Sequence, residues 1–399
     1  MWLESAKVQY MEIIKKLNPN VVNTQISGIR KIVDAVMQIK GVIRMDIGEP
    51  DFDTPIHIKD AAITALNEGF THYTASTGIS ELREAVADKL KKDNNLEYDA
   101  ESEITITCGG IGGIFSTLQA LVNPGDEVIV SDPVWPVYLG VLSLLEAKPV
   151  PVILKEEDKF NIMPGKIKEK LTSKTKAIMI NSPNNPTGGV MTEENLMRIA
   201  DLAKKHGVFV LSDESYEKLI FGDTKHLSIA SLPGMRDLAI TQFTLSKTYA
   251  MTGWRVGYVA AHKDIMAAIR KVTLYTITHV TSIAQKAAVA ALKGPQECVN
   301  DMTKKFKVRG ETLARGLNAT GKISCMPPEG AFYLFANITK LNMKSEDFVM
   351  RLIKEAGVSA VNGSSFGASG EGYVRFCFAN SLENIKEAVV RIEKFVKAL

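Results

Sequence analysis

The sequence is poor in cysteine. Four occur in 399 residues: Cys108, Cys298, Cys325 and Cys377. None pair as CxxC and none join histidines at zinc-ligand spacing, which excludes a disulfide-stapled scaffold and a structural zinc domain. They read as scattered small core residues of a reducing compartment. Long apolar runs are missing as well. No stretch reaches the roughly 18 consecutive apolar residues that a membrane helix needs. The opening segment MWLESAKVQYMEIIKKLNPN carries Glu4 and Glu12 and no apolar h-region, so no signal peptide is expected and the expected compartment is the cytoplasm. Excess charge is also absent. The 48 Lys+Arg against 45 Asp+Glu leave a net charge of +3, and no basic run stands out. Nucleic acid and anionic membrane are therefore not expected partners. No internal repeat or low-complexity tract is present.

What is present is alternation. Short apolar runs of strand length are followed by turn residues and then by helical patterns. ITIT (104–107) precedes GGIGG and FSTLQALV; EVIV (127–130) precedes SDPVWP; KAIMI (176–180) precedes NSPNNPTGG. VFVLS (208–212) precedes DESY, and LAITQF (238–243) precedes TLSKTYAMTG, with WRVGYVAA (254–261) after it. TEENLMRIADLAKKHG reads as a helix opening on Thr192 and closing on Gly207. Near-continuous apolar strands separated by helices predict an α/β fold, a mostly parallel sheet covered by helices on both faces. Residues 1 to about 47 read as helical, with SGIRKIVDAVMQIKG amphipathic. After about residue 292, KISCMPPEGAFYLFANI and GYVRFCFAN read as strands among helices, which predicts a smaller α+β domain. The expected division is a large domain over 48–291 and a small domain from 1–47 with 292–399.

In such sheets ligands bind beyond the carboxyl ends of the strands, so the residues after each apolar run carry the functional reading. Gly109, Gly110 and Ile111 open a helix, either as a plain tight turn or as a cradle of backbone N–H groups for an anion. The GxGxxG dinucleotide pattern fails there, because Phe115 stands where it needs a glycine. Trp135, between two prolines, is a core aromatic or a flat wall against a ring. Asn185 lies in a stiff Asn/Pro turn that can simply connect elements or hold an amide toward a ligand. Asp213 is a helix N-cap or a buried carboxylate awaiting a cation, with Tyr216 three residues on. Lys247 ends an apolar strand between the hydroxyls of Thr244, Ser246 and Thr248, and Arg255 follows eight residues later. Most lysines are solvated. A lysine desolvated at a sheet opening can lose its proton and attack a carbonyl as a Schiff-base nucleophile. An arginine beside it offers a planar fork for a phosphate. Anion cradle, aromatic wall, amide, carboxylate, phenol, lysine and arginine together fit a phosphorylated pyridine aldehyde, pyridoxal phosphate.

The motifs DIGEPDFDTP, HYTASTGISELREAVADKL, NSPNNPTG, SKTYAMTGWRVGY and GYVRFCFA, in this order and spread over nearly the whole chain, resemble fold type I pyridoxal-phosphate aminotransferases of the aspartate aminotransferase family (class I/II). The resemblance implies roles position by position. Lys247 is the Schiff-base lysine. Asp213 pairs with the protonated pyridine nitrogen, and Tyr216 and Asn185 bond the ring oxygen. Trp135 stacks on the ring. Gly109, Gly110 and Ile111, with Thr244 or Ser246 and Arg255, hold the phosphate. Tyr73 reaches the phosphate of a neighbouring subunit, which implies a homodimer with shared active sites. Arg375 binds the substrate α-carboxylate, over which Gly48 closes. No metal is implied.

Two positions depart from the dicarboxylate-reading pattern of the family. Ile111 stands where many relatives carry a lysine, and Ala288 where others place an arginine. Tyr275 and His279 are either shapers of a side-chain pocket or ordinary helix residues. The implied activity is ping-pong transfer of an amino group between an L-amino acid, in the aspartate, aromatic or neutral range, and a 2-oxo acid. The alternatives are a pyridoxal-phosphate lyase or decarboxylase on the same fold, and a non-enzymatic binder.

Overall fold

The computed structural model describes residues 13–24, 28–222 and 224–399. Its centre is a seven-stranded sheet built from β1 (Ile104–Cys108), β2 (Glu127–Asp132), β3 (Lys148–Ile153), β4 (Thr175–Asn181), β5 (Phe209–Asp213), β6 (Ala239–Thr244) and β7 (Val256–Ala260). The spatial order is β1-β7-β6-β5-β4-β2-β3. Six strands run one way, and β7 lies antiparallel between β1 and β6. The inner strands are apolar on both faces because helices cover both. Ile106, Ile129 and Ile180 face one apolar core, while Val128, Ile240 and Val259 face another beneath the helices Gly109–Leu121 and Lys263–Ile277.

In this sheet every apolar run read as a strand forms one, to within a residue or two. The helix Glu193–His206 starts and stops as its sequence requires. Thr192 accepts from the Asn195 N–H, and Gly207 takes the left-handed conformation (φ 64°) that ends the helix. Strand β3 has no counterpart in the sequence reading. Its segment KPVPVI carries Pro149 and Pro151, which demote a run in any propensity argument. The sheet accommodates them because β3 is an edge strand.

A second, three-stranded sheet is formed by β8 (Tyr333–Asn337), β9 (Val361–Asn362) and β10 (Tyr373–Cys377), in the order β8-β10-β9, all antiparallel. The longer strand read over 322–338 shrinks to β8, with Ser324 and Gly330 joining only isolated bridges. Helices Glu297–Ala319 and Leu382–Ala398 pack on each other beside this sheet. The helical reading of the N-terminal segment holds for Pro19–Asn23 and Ile29–Met37, and residues 1–12 lie outside the described residues. Beyond Met37 the chain leaves the helix. Ile43 bridges Val358, and the Cys377 N–H donates to the Met45 carbonyl at 2.8 Å.

Candidate active site

The carboxyl ends of β4, β5 and β6 lie side by side, with Asn181 in register with Asp213. Strand β7 enters the sheet from that same edge. Its register places Gly257 opposite Thr244 and Val256 opposite Cys108. The reversal of one strand therefore sets Arg255 between the hydroxyl-rich turn after β6 and the start of the helix after β1. A cavity of about 310 Å³ opens there, closed from the other side by the segment around Gly48 and by the three-stranded sheet. Gly48, Gly110, Ile111, Trp135, Asn185 and Asp213 line it, as do Tyr216, Thr244, Ser246, Lys247, Arg255 and Arg375. A larger cleft of about 680 Å³ lies elsewhere, and its lysine, Lys31, is already paired with Glu346 at 3.5 Å.

Lys247 sits in the four-residue helix Leu245–Thr248 that follows β6, and its Nζ donates to the Gly48 carbonyl at 2.6 Å. Burial disfavours the ammonium and lowers its pKa to about 8. Asp213 is 3% exposed. Its Oδ1 accepts from the Ser215 N–H at 3.1 Å and the Ser215 hydroxyl at 2.6 Å, and its Oδ2 accepts from the Tyr138 hydroxyl. Burial pushes this carboxyl above its ordinary range, against the hydrogen bonds from Ser215 and Tyr138. No cation pairs with it among the described residues.

Arg375 carries the opposite imbalance. It is buried, donates to Asn185 Oδ1 at 3.0 Å and to the Asp46 carbonyl at 2.6 Å, and leaves its Nε without a partner. Its guanidinium lies between the rings of Tyr333 (4.5 Å) and Phe366 (4.8 Å), with no carboxylate beside it among the described residues. Buried charges are normally paired. This site holds a carboxylate lacking a cation and an arginine lacking an anion.

The third element is an anion cradle. The helix Gly109–Leu121 begins at Gly109 itself, and Cys108 gives it no side-chain cap. Its first N–H groups thus stay free for a ligand. Gly109 has φ 64°, and a Cβ there would collide with the Arg255 guanidinium, so glycine lets arginine and helix start converge. Arg255 itself holds a left-handed φ of 56°, a conformation that costs roughly 1–3 kcal/mol outside glycine. Its one hydrogen bond among the described residues goes to the Thr252 carbonyl at 2.9 Å, so most of its fork is free. Thr244 and Ser246 add hydroxyls 2.9 Å apart. Two free-facing donor sets, a buried carboxylate and a lysine of lowered pKa match a phosphorylated pyridine aldehyde in charge and in chemistry.

Tyr73 stands apart. It is 88% exposed and lies edge-on to His279 at 5.4 Å, outside the cavity. Tyr275 is exposed on the helix Lys263–Ile277, and Ala288 is fully buried in the helix Ser282–Lys293; neither lines the cavity, nor does His279. Several residues were missed by sequence reasoning. Asp46, Asn181, Ser215 and Tyr333 line the cavity, and Tyr138 holds Asp213 from behind. Asn181 braces both neighbouring turns, donating to the Asp213 carbonyl at 3.1 Å and accepting from the Asn185 N–H at 2.8 Å. Tyr138 had a faint signal, one helical turn beyond Trp135. Behind the 213–217 turn, Glu214 accepts from Ser212, Ser228 and His226, and Glu217 from Asn94 and Lys89. Glu214, Glu217 and His226 bring ligand atoms within 4.8 Å of one another, but the Lys89 ammonium already supplies positive charge there.

Fold and site together define a fold type I enzyme of the pyridoxal-phosphate-dependent kind. The chain belongs to the aminotransferase class I and II family, whose model matches residues 40–392. It is 43% identical to the aspartate aminotransferase of Pyrococcus abyssi, covering 93% of this chain and 96% of the relative. It is 41% identical to aromatic-amino-acid aminotransferase 2 of Thermococcus litoralis, again over 93% and 96%. The solved aromatic aminotransferase from Pyrococcus horikoshii OT3 superposes with a TM-score of 0.88 at 42% identity, over 92% of this chain and 99% of that one. The protein is an aminotransferase. No helix among its described residues is long and apolar enough to cross a membrane.

Proposed function

We propose that this aminotransferase binds pyridoxal phosphate in the β4–β5–β6 crevice and moves an amino group between an L-amino acid and a 2-oxo acid in two half-reactions. The observation that carries this reading is the complementary charge imbalance: among the described residues Asp213 is buried without a cation and Arg375 without an anion, and both line the cavity that holds Lys247. When bound, the cofactor supplies an aldehyde and a protonated pyridine that accepts the electron pair leaving the substrate's Cα. The chain's residues do the rest. Arg255, Thr244, Ser246 and the N–H groups of Gly109, Gly110 and Ile111 hold the phosphate. Asp213, kept in place by Ser215 and Tyr138, holds the proton on the ring nitrogen. Tyr216 and the amide of Asn185 donate to the ring oxygen, and Trp135 covers the ring face. Arg375 fixes the substrate α-carboxylate, and Gly48 folds over it. Lys247 Nζ would hold the aldehyde carbon between turnovers, the aldehyde oxygen leaving as water, and once displaced by the substrate amine it would be free to accept the Cα proton. Each substrate uses Arg375 in turn, so the kinetics are ping-pong.

The cavity lining includes the apolar side chains Ile111, Ile47 and Val33, which favours aromatic or neutral side chains over a second carboxylate. The two sheets support a large domain over 48–291 and a small one from 1–47 and 292–399, with the crevice between them. Tyr73, Tyr275 and the helix residues Ile56, Ile63 and Leu66 are exposed apolar side chains that a second copy of the chain could cover. In such a homodimer Tyr73 reaches the partner's phosphate site. Four free cysteines suit the cytoplasm.

The test is a single-turnover scan. The cofactor-loaded protein receives one amino acid at a time without any 2-oxo acid, and its visible absorbance is followed. Loss of the band with release of one equivalent of 2-oxo acid is the expected result, for aromatic or neutral amino acids first. Release of carbon dioxide, ammonia or a cleaved fragment instead would transfer the reading to a decarboxylase or lyase.

The lowered pKa of Lys247 gives a signed pH dependence. Between pH 8 and the ordinary lysine value the unfolded chain binds more protons at this residue than the folded one, so apoprotein stability gains from this group as pH rises through that window. Below about pH 8 the site's amine is increasingly protonated. The rate at which the apoprotein captures pyridoxal phosphate should rise about tenfold per pH unit up to pH 8 and then level off. Stopped-flow absorbance would measure it, and a rate still rising about tenfold per pH unit beyond pH 9 would show that Lys247 is not desolvated.

A further inference from the structure

We infer that Tyr333 is a positioning residue of this site, whose hydroxyl fixes the proton of Tyr216. The inference rests on the proposed binding of pyridoxal phosphate next to Tyr216. Tyr333 belongs to β8 of the three-stranded sheet, and Tyr216 follows β5 of the seven-stranded one. The two hydroxyls meet at 2.8 Å, both deeply buried, with the rings edge-on at 5.8 Å. Each phenol's only hydrogen bond among the described residues is this one. A buried tyrosine at a purely packing position needs no hydroxyl; here the hydroxyl has a single, well-defined partner inside the cavity.

The pairing fixes a direction. A hydroxyl has one proton to give. For Tyr216 to donate to the cofactor's ring oxygen, it must accept within the pair, so Tyr333 must be the donor. Tyr333, Tyr216 and the ring oxygen then form a chain in which each link polarises the next. A stronger donor on that oxygen draws its negative charge away from any proton held nearby. It thereby lowers the pH at which the bound cofactor's absorbance changes. The ring of Tyr333 is held independently of its hydroxyl. The Arg375 guanidinium stacks on it at 4.5 Å, and a Cβ at Gly48 would overlap the hydroxyl, so the Gly48 segment can lie against Tyr333 only as glycine. Removing the hydroxyl alone therefore leaves the substrate arginine in place.

The experiment is a spectrophotometric pH titration of the cofactor-loaded protein without substrate, for wild type, Tyr333→Phe, Tyr216→Phe and the double variant. The midpoint should rise by about one pH unit in Tyr333→Phe. It should rise no further when Tyr333→Phe is added to Tyr216→Phe, because the chain is already broken. The KM for the amino acid should stay within about twofold in Tyr333→Phe, since Arg375 keeps its ring partner. An unchanged midpoint, or an equal shift in both backgrounds, overturns the inference. A wild-type protein that binds no pyridoxal phosphate overturns the functional reading, and the inference falls with it.

Discussion

Lys247→Ala is expected to reduce transamination by at least about 10⁴-fold, because in the proposed function one amine serves both as the nucleophile toward the aldehyde and as the base at Cα. The cofactor should still bind. Arg255, the free N–H groups of the Gly109 helix and Asp213 are untouched by the change and need no covalent link. Desalting should therefore leave cofactor on the protein while the absorbance characteristic of the lysine linkage is gone. The fold should survive too. Below pH 8 the native state holds an ammonium that burial disfavours, so alanine should leave the melting temperature unchanged or higher. A small exogenous amine should restore a fraction of the rate. Wild-type turnover without such an amine would remove Lys247 from the chemistry.

Asp213→Asn is expected to lower kcat by about 10²–10³-fold, the usual cost of removing one preorganised charge from a water-excluded site. An asparagine oxygen still accepts from Ser215, and the packing volume is conserved. The negative charge is lost, and the amide nitrogen now faces Tyr138, whose hydroxyl must accept there instead of donating. Apoprotein stability should hardly change, since the native carboxylate has no cation to pair with and burial already pushes its pKa up. Retained absorbance, unchanged melting temperature and a collapsed kcat would together place Asp213 in the chemistry. An unchanged kcat would leave it as a brace for Ser215 and Tyr138.

Much of this was legible in the chain. The strand-end residues Asp213, Lys247 and Arg255 stand out because an apolar run followed by a charge is a local pattern, and α/β sheets gather such ends at one edge. Arg375 is different. Nothing in YVRFCF distinguishes a buried arginine from a cross-strand surface pair, and only the resemblance marked it. Tyr138 and Tyr333 were missed for a similar reason. Their partners lie 75 and 117 residues away, and no periodicity in either segment points at the other. Strand β3 was missed because Pro149 and Pro151 argue against a strand wherever the edge position is unknown.

By itself the sequence determined the strand cores, the helix bounds at Thr192 and Gly207, and which polar residues stand at strand ends. Those depend on side-chain period, capping and glycine geometry, all set within a few residues. The tertiary structure alone decided the electrostatics. The antiparallel run of β7 brought Arg255 to the helix start at Gly109. The three-stranded sheet, through Tyr333 and Arg375, closes the cavity that holds Lys247 and Asp213. Desolvation is a property of everything packed around a group, so the lowered lysine pKa and the two unmatched buried charges exist only once distant segments meet.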